Sequence, residues 1–384
     1  MSRLEELIQT LCPDGVEIFK LSTISEIKRG QRITKSELIP EGPYPVISGG
    51  VNPMGFTNDF NRNEKTITVA QYGTAGFVNW QTNKFWANDV CYTIYPDKKL
   101  INRYLYYSLL SAQDFIYTLV IDAVPAHLPQ KRLAEIEIFV PPLPVQEEIV
   151  RILDTFTELE TELEAELTAR TNQYEHYRHD LIFHYPESST MTMEMVMLGE
   201  ICHYSKESID ASEIDKDSYV GVDNLLQNKQ GKVASEFVPE KGRLIRYRSG
   251  DVLIGNIRPY LKKIWMANND GGTNGDVLCI QINDEAKTKI IPRFLYQILS
   301  SEEFFSYAIN FTRGAGMPRG SKEMTMKFKF AIPPLEIQEQ IVFILDRFDT
   351  LVNDLKSGLP AEIALRRKQY EYYRDKLLTF TRRA

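Results

Sequence analysis

Apolar residues recur at Ile149, Leu153, Phe156, Leu159, Leu163 and Leu167, and again at Tyr174, Tyr177 and Leu181. Steps of three and four draw one stripe down a single helix, the pattern of a coiled-coil seam. The pair Pro141-Pro142 marks its start, because proline cannot sit inside a helix and keeps the residue before it extended. The same beginning occurs again at Pro333-Pro334, and at an offset of 192 the segments 141–156 and 333–348 share 11 of 16 residues. Farther on, Gln173-Tyr174-Glu175-His176-Tyr177-Arg178 matches Gln369-Tyr370-Glu371-Tyr372-Tyr373-Arg374 at an offset of 196, so the second copy is four residues longer. Such an internal repeat dictates the architecture. Two long helices, each too long to bury its stripe alone, are expected to pair antiparallel. Leu153, Phe156, Leu163, Tyr174 and Tyr177 would meet Leu345, Phe348, Tyr370 and Tyr373, with the four tyrosines gathered near the end that holds Arg178 and Arg374.

Between the helices the pattern changes to short alternating runs with glycine turns, the signature of strands in a mixed α/β domain. In residues 16–140, strands are expected at 17–21, 45–51, 65–70, from 77 and across 85–94, followed by a helix from Ile101 and a loop around 125–132. Residues 194–332 follow the same plan more loosely. Val196-Met197-Leu198-Gly199-Glu200-Ile201 answers Lys20-Leu21-Ser22-Thr23-Ile24, Asn274-Gly275-Asp276-Val277 answers Asn88-Asp89-Val90, and Ile291-Pro292-Arg293 answers Ile101-Asn102-Arg103. The first residues form a short amphipathic helix rather than a signal peptide. No apolar run approaches the ~20 residues a bilayer requires. The four cysteines are scattered without metal spacing, which fits a reducing cytoplasm.

Charge alters this picture in one respect. The net charge of −7 argues against a nucleic-acid partner until its distribution is considered. Residues 145–185 hold ten acidic and three basic side chains, whereas residues 16–138 hold 13 basic and 12 acidic ones. The acidity therefore belongs to the helix, and the globular parts are free to present basic loops. Arg29, Gln31, Arg32, Lys35, Gln71, Tyr72 and Lys131 form such a set in the first half. Arg246, Arg248, Asn256, Arg258, Tyr260, Lys262, Lys263, Arg313 and Arg319 form one in the second. Arginine and lysine suit phosphates and guanine edges, and asparagine and glutamine suit adenine. Catalytic patterns are missing. Gly73-Thr74-Ala75-Gly76 lacks the spacing and lysine of a phosphate loop. The five histidines form no metal spacing, and no Asn-Pro-Pro-aromatic motif of an adenine methyltransferase occurs.

With the repeat laid out, the chain resembles the DNA-specificity subunit of type I restriction–modification systems. Leu11-Cys12-Pro13-Asp14-Gly15-Val16, Ile332-Pro333-Pro334-Leu335-Glu336-Ile337-Gln338 and Arg367-Lys368-Gln369-Tyr370-Glu371-Tyr372-Tyr373-Arg374 carry the resemblance, which covers essentially the whole chain. It implies an α+β fold with two mixed α/β target-recognition domains separated by two long antiparallel coiled-coil helices in a pseudo-twofold repeat. The expected division is 1–144 for the first recognition domain, 145–185 for the first spacer helix, 186–334 for the second domain and 335–384 for the second helical region. Each domain would read half of an interrupted site in double-stranded DNA. The helices would bind two methyltransferase subunits, through which restriction subunits join. S-adenosylmethionine, ATP and magnesium are expected on those partners and no cofactor or metal on this chain, which is not itself an enzyme. The contact loops differ between members of that family, so no DNA-contact residue is carried over from it. A self-sufficient duplicated DNA-binding regulator is the alternative, and a combined restriction–methylation enzyme is disfavoured by the missing methyltransferase motif.

Overall fold

The computed structural model describes residues 2–184, 193–314, 316–353 and 357–383. The chain divides into two compact units, Met1–Glu162 with Ile363–Ala384, and Leu163–Glu362. In the first, α1 (Arg3–Leu11) is capped by a reciprocal pair of hydrogen bonds between Ser2 and Glu5. There follow β1 (Ile18–Lys20), α2 (Leu21–Ile24), β2 (Ser25–Arg29), β3 (Tyr44–Ile47), β4 (Phe56–Thr57), β5 (Thr66–Ala70), β6 (Val78–Gln81), β7 (Trp86–Ala87) and β8 (Cys91–Pro96). Then come α3 (Asn102–Ser111), α4 (Gln113–Thr118), α5 (Gln130–Ala134), β9 (Glu137–Phe139) and α6 (Leu143–Phe183). Antiparallel β2-β8-β5-β6 form the main sheet, β4-β3-β7 a second one in which β3 and β7 run parallel, and β1 pairs with β9. Every residue of β5 is buried, as a central strand of alternating Thr and Ile/Val covered on both faces requires.

The second unit repeats this. It contains β10 (Glu194–Met197), α7 (Leu198–Ile201), β11 (Cys202–Tyr204), β12 (Ser208–Asp210), β13 (Tyr219–Val220), β14 (Arg243–Tyr247), β15 (Val252–Gly255), β16 (Ile264–Met266), β17 (Gly271–Thr273) and β18 (Val277–Ile282). The helices α8 (Pro292–Leu299), α9 (Glu302–Asn310) and α10 (Lys322–Met326) precede β19 (Lys329–Ile332) and α11 (Leu335–Asn353), and α12 (Leu359–Leu377) then returns to the first unit from Ile363 on, as the part of α6 from Leu163 belongs to the second. Antiparallel β11-β18-β15-β16 matches the first unit's main sheet, β12-β14-β17-β13 again contains one parallel pair, and β10 pairs with β19.

The helices pair antiparallel within each unit. In the first, Phe156 stacks on Tyr373 at 5.5 Å and Glu160 binds Arg367, so the numbering rises along α6 as it falls along α12. In the second, Tyr174 stacks on Phe348 at 6.1 Å, with Tyr177 against the same ring. Leu153, Tyr174 and Leu345 are fully buried, whereas Leu163 is only partly covered. Two expectations need correction. The seam tyrosines do not gather in one place. Tyr370 and Tyr373 pack in the first unit, against Tyr107 and Phe156, and Tyr174 and Tyr177 in the second. Antiparallel pairing is the reason, since it sets the last turns of one copy beside the first turns of the other. The second copy is also not one helix. Gly358 and Pro360 open a new one, and the amides of Ala361 and Glu362 bond to Gly358 O. The loop expected around 125–132 also ends early, because Gln130, Lys131 and Arg132 belong to α5.

One hydrogen-bonding device is built twice. Gln146 and Gln338, both fully buried, lie in the first turn of α6 and of α11. Gln338 Oε1 accepts from Ile291 N at 2.9 Å, and its Nε2 donates to Lys289 O and Pro333 O at 2.7 and 2.8 Å. Gln146 makes the same three bonds to Ile101 N, Lys99 O and Pro141 O. Each glutamine thereby fixes its Pro-Pro helix start to the α/β scaffold. Replacing Gln338 with Ala takes the partner from three backbone groups, of which the bond to Pro333 O is buried and the other two are partly buried, a cost of about 2–4 kcal/mol. Chemical unfolding of Gln338→Ala should show the loss, and an unchanged transition would remove the device from the account.

Candidate nucleic-acid interface

In the first unit, loops from five parts of the chain converge around Asn88, just before β8. Its Oδ1 accepts from Ile33 N at 3.1 Å and its Nδ2 donates to Ser48 Oγ at 3.3 Å, while its amide donates to Ile47 O. Gln31 N bonds to Ala87 O, Trp86 Nε1 donates to Gln31 O, and Arg29 Nε donates to Asp89 O. Gly49 meets the turn at Gly73 so closely that a Cβ on Gly73 would lie 2.5 Å from Gly49 O, and Gly73 has φ +72°. Only glycine fits both demands. Tyr72 stacks on His127 at 5.7 Å, and Leu128 N bonds to Gln71 O.

The second unit has the same hub in altered form. Asn274 Oδ1 accepts from Asp276 N, and Asp276 O accepts from Asn256 N. The loop after β15 is joined to a hairpin before α10, where Arg258 N donates to Pro318 O at 2.7 Å and Gly320 N donates to Asn256 O. Arg258 is held in the left-handed region at φ 51°, an uncommon state for a residue with a Cβ and one that concentrates at functional sites. Asn88 and Asp276 build these sites without being among the candidates the sequence offers. Their signal was present in the match of Asn88-Asp89 to Asn274-Gly275-Asp276, two copies of one turn.

The proposed contact residues separate by environment. Gln31, Arg32, Lys35, Lys131, Tyr260 and Arg313 are exposed, and none of the ion pairs among the described residues involves Arg32, Lys35, Lys131 or Arg313. Arg29 is also exposed but spends its Nε on Asp89 O. Tyr72 and Arg258 are partly covered, and Arg258 Nε has no hydrogen-bond partner. Other donors are already engaged within the protein. Arg248 pairs with Glu207 at 2.8 Å, Arg319 with Asp276 at 3.1 Å and Lys262 with Glu302 at 2.5 Å, while Lys263 Nζ donates to Val222 O at 2.6 Å. Arg246 lies 3.9 Å from Asp270. Gln71 and Asn256 are buried, Gln71 with an unpaired Oε1.

The histidines come closer together than their spacing suggests. His179, Asp180 and His184 place ligand atoms within 4.8 Å of one another at the end of α6, where His184 N still bonds to Asp180 O one helical turn back. His179 also contacts Glu303. All three keep contact with solvent.

Compared with known proteins, the type I restriction modification DNA specificity domain matches this chain twice, over residues 13–172 and 191–365. The chain belongs to the family of type I restriction–modification specificity subunits. A putative type I restriction enzyme specificity subunit of Haemophilus influenzae is 30% identical over 371 residues, 92% of this chain and 93% of the relative. The EcoR124I/EcoR124II specificity subunit of Escherichia coli is 29% identical over 421 residues, 99% of this chain and 97% of the relative. The crystal structure of an S subunit from M. genitalium shares the fold, with a TM-score of 0.57 and 20% identity over 94% of this chain and 96% of that one. A specificity subunit is the non-catalytic member of such a system, so this chain is not itself the enzyme. No helix among the described residues is long and apolar enough to cross a membrane.

Proposed function

We propose that this specificity subunit reads an interrupted DNA site, with residues 1–144 contacting one half and residues 186–334 the other. The helical regions within 145–185 and 335–384, α6 in the first and α11 and α12 in the second, would hold two methyltransferase subunits, and restriction subunits would join through that core, in the cytoplasm. The doubled loop cluster carries the reading: each unit brings several loops onto an Asn/Asp hub and leaves cationic and amide donors exposed beside it. Those donors are Arg29, Gln31, Arg32, Lys35 and Lys131 in one unit and Arg313 in the other, joined by the exposed hydroxyl of Tyr260 and by the partly covered Tyr72 and Arg258. Arg246, Arg248, Lys262, Lys263 and Arg319 would first have to leave partners inside the protein, and Gln71 and Asn256 would act from beneath the loops.

Expressing the chain with its methyltransferase partner and mapping N6-methyladenine across the genome tests this directly. One bipartite motif with a fixed gap is the expected result. A chain that binds a specific duplex tightly without any partner would instead be a self-sufficient regulator. Within the complex, Arg258→Ala should weaken or relax only the half read by residues 186–334. Loss of a base contact costs about 1–3 kcal/mol at one base pair, whereas loss of a phosphate contact weakens all sequences alike. A change confined to the other half-site would contradict the modular assignment.

A further inference from the structure

Among the described residues, five non-glycine positions have left-handed backbone: Lys65, Asn228, Lys229, Arg258 and Lys262. Four of the five lie in two loops of the second unit that run side by side. Asn228 N donates to Leu261 O at 2.9 Å and Lys229 N to Lys262 O at 3.0 Å. A Cβ strains each of these conformations, so the loops keep this shape only where surrounding contacts over-determine it. The contacts converge on Glu302, the first residue of α9. Its carboxylate accepts from Lys262 Nζ at 2.5 Å and from Lys229 Nζ at 3.3 Å. Lys229 also donates to Glu175 of α6 at 2.7 Å, and Arg178 of the same helix donates to Glu175 and to Ser300 O, two residues before Glu302. Burial alone would push the Glu302 carboxyl up, but the bonds and charges of Lys262 and Lys229 outweigh it and hold the group below the ordinary range. It is therefore ionised at neutral pH.

The first unit has a neutral version of the same arrangement. Gln113, the first residue of α4, donates from Nε2 to Gly76 O at 2.8 Å and accepts at Oε1 from Val78 N at 2.9 Å. It thereby ties down the end of the turn that begins at Gln71 and Tyr72. In both units the second helix of a helix pair thus begins with a side chain that grips a candidate recognition loop. One grip is made of two ion pairs, the other of two amide hydrogen bonds.

We propose that Glu302 is the positioning residue for the second recognition surface, holding the Arg258 loop in its reading shape through Lys229 and Lys262, and that Gln113 is its neutral counterpart in the first. This rests on the reading that the Arg258 loop faces DNA. Without the Glu302 charge, Lys229 keeps only Glu175, Lys262 loses the carboxylate it pairs with, and the strained loops lose their common tether. The ionic tether is also open to screening, since the Glu302 side chain is 44% exposed and the Debye length falls from about 10 Å at 0.1 M salt to about 3 Å at 1 M. The amide tether of Gln113 has no such dependence.

The test uses the full chain assembled with its methyltransferase partner, in the forms Glu302→Gln, Glu302→Asp and Gln113→Ala. Amide hydrogen exchange in peptides covering 226–231 and 256–263 should quicken about tenfold in Glu302→Gln, while the rest of the core stays protected. Methylation of duplexes carrying single base changes should lose about tenfold in discrimination at the half-site of the second unit and nothing at the other. Glu302→Asp should recover most of both effects, and Gln113→Ala should relax only the first unit's half-site. Unchanged exchange in both peptides would overturn the tether. Equal losses at both half-sites together with a lower melting temperature would overturn it as well, by making Glu302 a fold residue. Loops that loosen while both half-sites stay fully discriminated would refute the underlying reading of the Arg258 loop and leave the tether standing.

Discussion

Leu153→Asp should leave the first unit unable to fold and the chain unable to enter a complex with its methyltransferase partner. Leu153 is fully buried on α6, in the core it shares with Val145, Ile149, Tyr104, Leu105 and Tyr107. Removing a buried leucine side chain costs about 2–5 kcal/mol, and an unpaired carboxylate in its place adds several more. That total equals much of the ~5–15 kcal/mol that holds a typical domain together. The same change at Leu163, part of the seam by periodicity, should be far milder because solvent still reaches that side chain. Size-exclusion chromatography with light scattering of co-expressed subunits separates the two. A folded, complex-forming Leu153→Asp variant would contradict the placement of the stripe.

Inserting a further Thr-Glu-Leu-Glu after Glu164 should lengthen the non-specific gap in the recognised DNA while both half-sites stay the same. Residues 157–164 are two tandem copies of that unit within the uninterrupted helix α6. The helix tolerates the threonines because their hydroxyls bond back to carbonyls of the preceding turn, as Thr161 does to Thr157 O at 2.8 Å. Four residues add roughly 6 Å of helix and about 400° of rotation, so the apolar stripe shifts by only about 40°. Set against about 3.4 Å per base pair, the gap can grow by a little under two base pairs, and by nearer one if the helix runs obliquely to the DNA. Methylome mapping of the insertion variant reads the gap directly. An unchanged gap, or altered bases in either half-site, would refute the spacer role.

Much of this architecture was legible in the sequence, and the legible parts have a common physical basis. The Pro-Pro starts, the three-and-four spacing of Ile149, Leu153 and Phe156 and the duplicated Gln146 and Gln338 are local signals. Helix geometry repeats every few residues, so a stretch of sequence states its own burial pattern, and the repeat states it twice. The family followed from the same segments. What only the tertiary structure decided concerns partners brought from far along the chain. Lys262 reads as a free cation until Glu302, 40 residues on, pairs with it. Arg248 and Arg319 are likewise taken up by Glu207 and Asp276, and Gln71 is buried beneath the loop that was expected to expose it. The seam tyrosines belong to this class too, since antiparallel pairing rather than periodicity determines which ring each one meets. Periodic structure fixes a side chain's direction from within its own helix or strand. A loop residue's charge state, exposure and strain depend on whatever the fold sets beside it, as the four left-handed residues around Glu302 show.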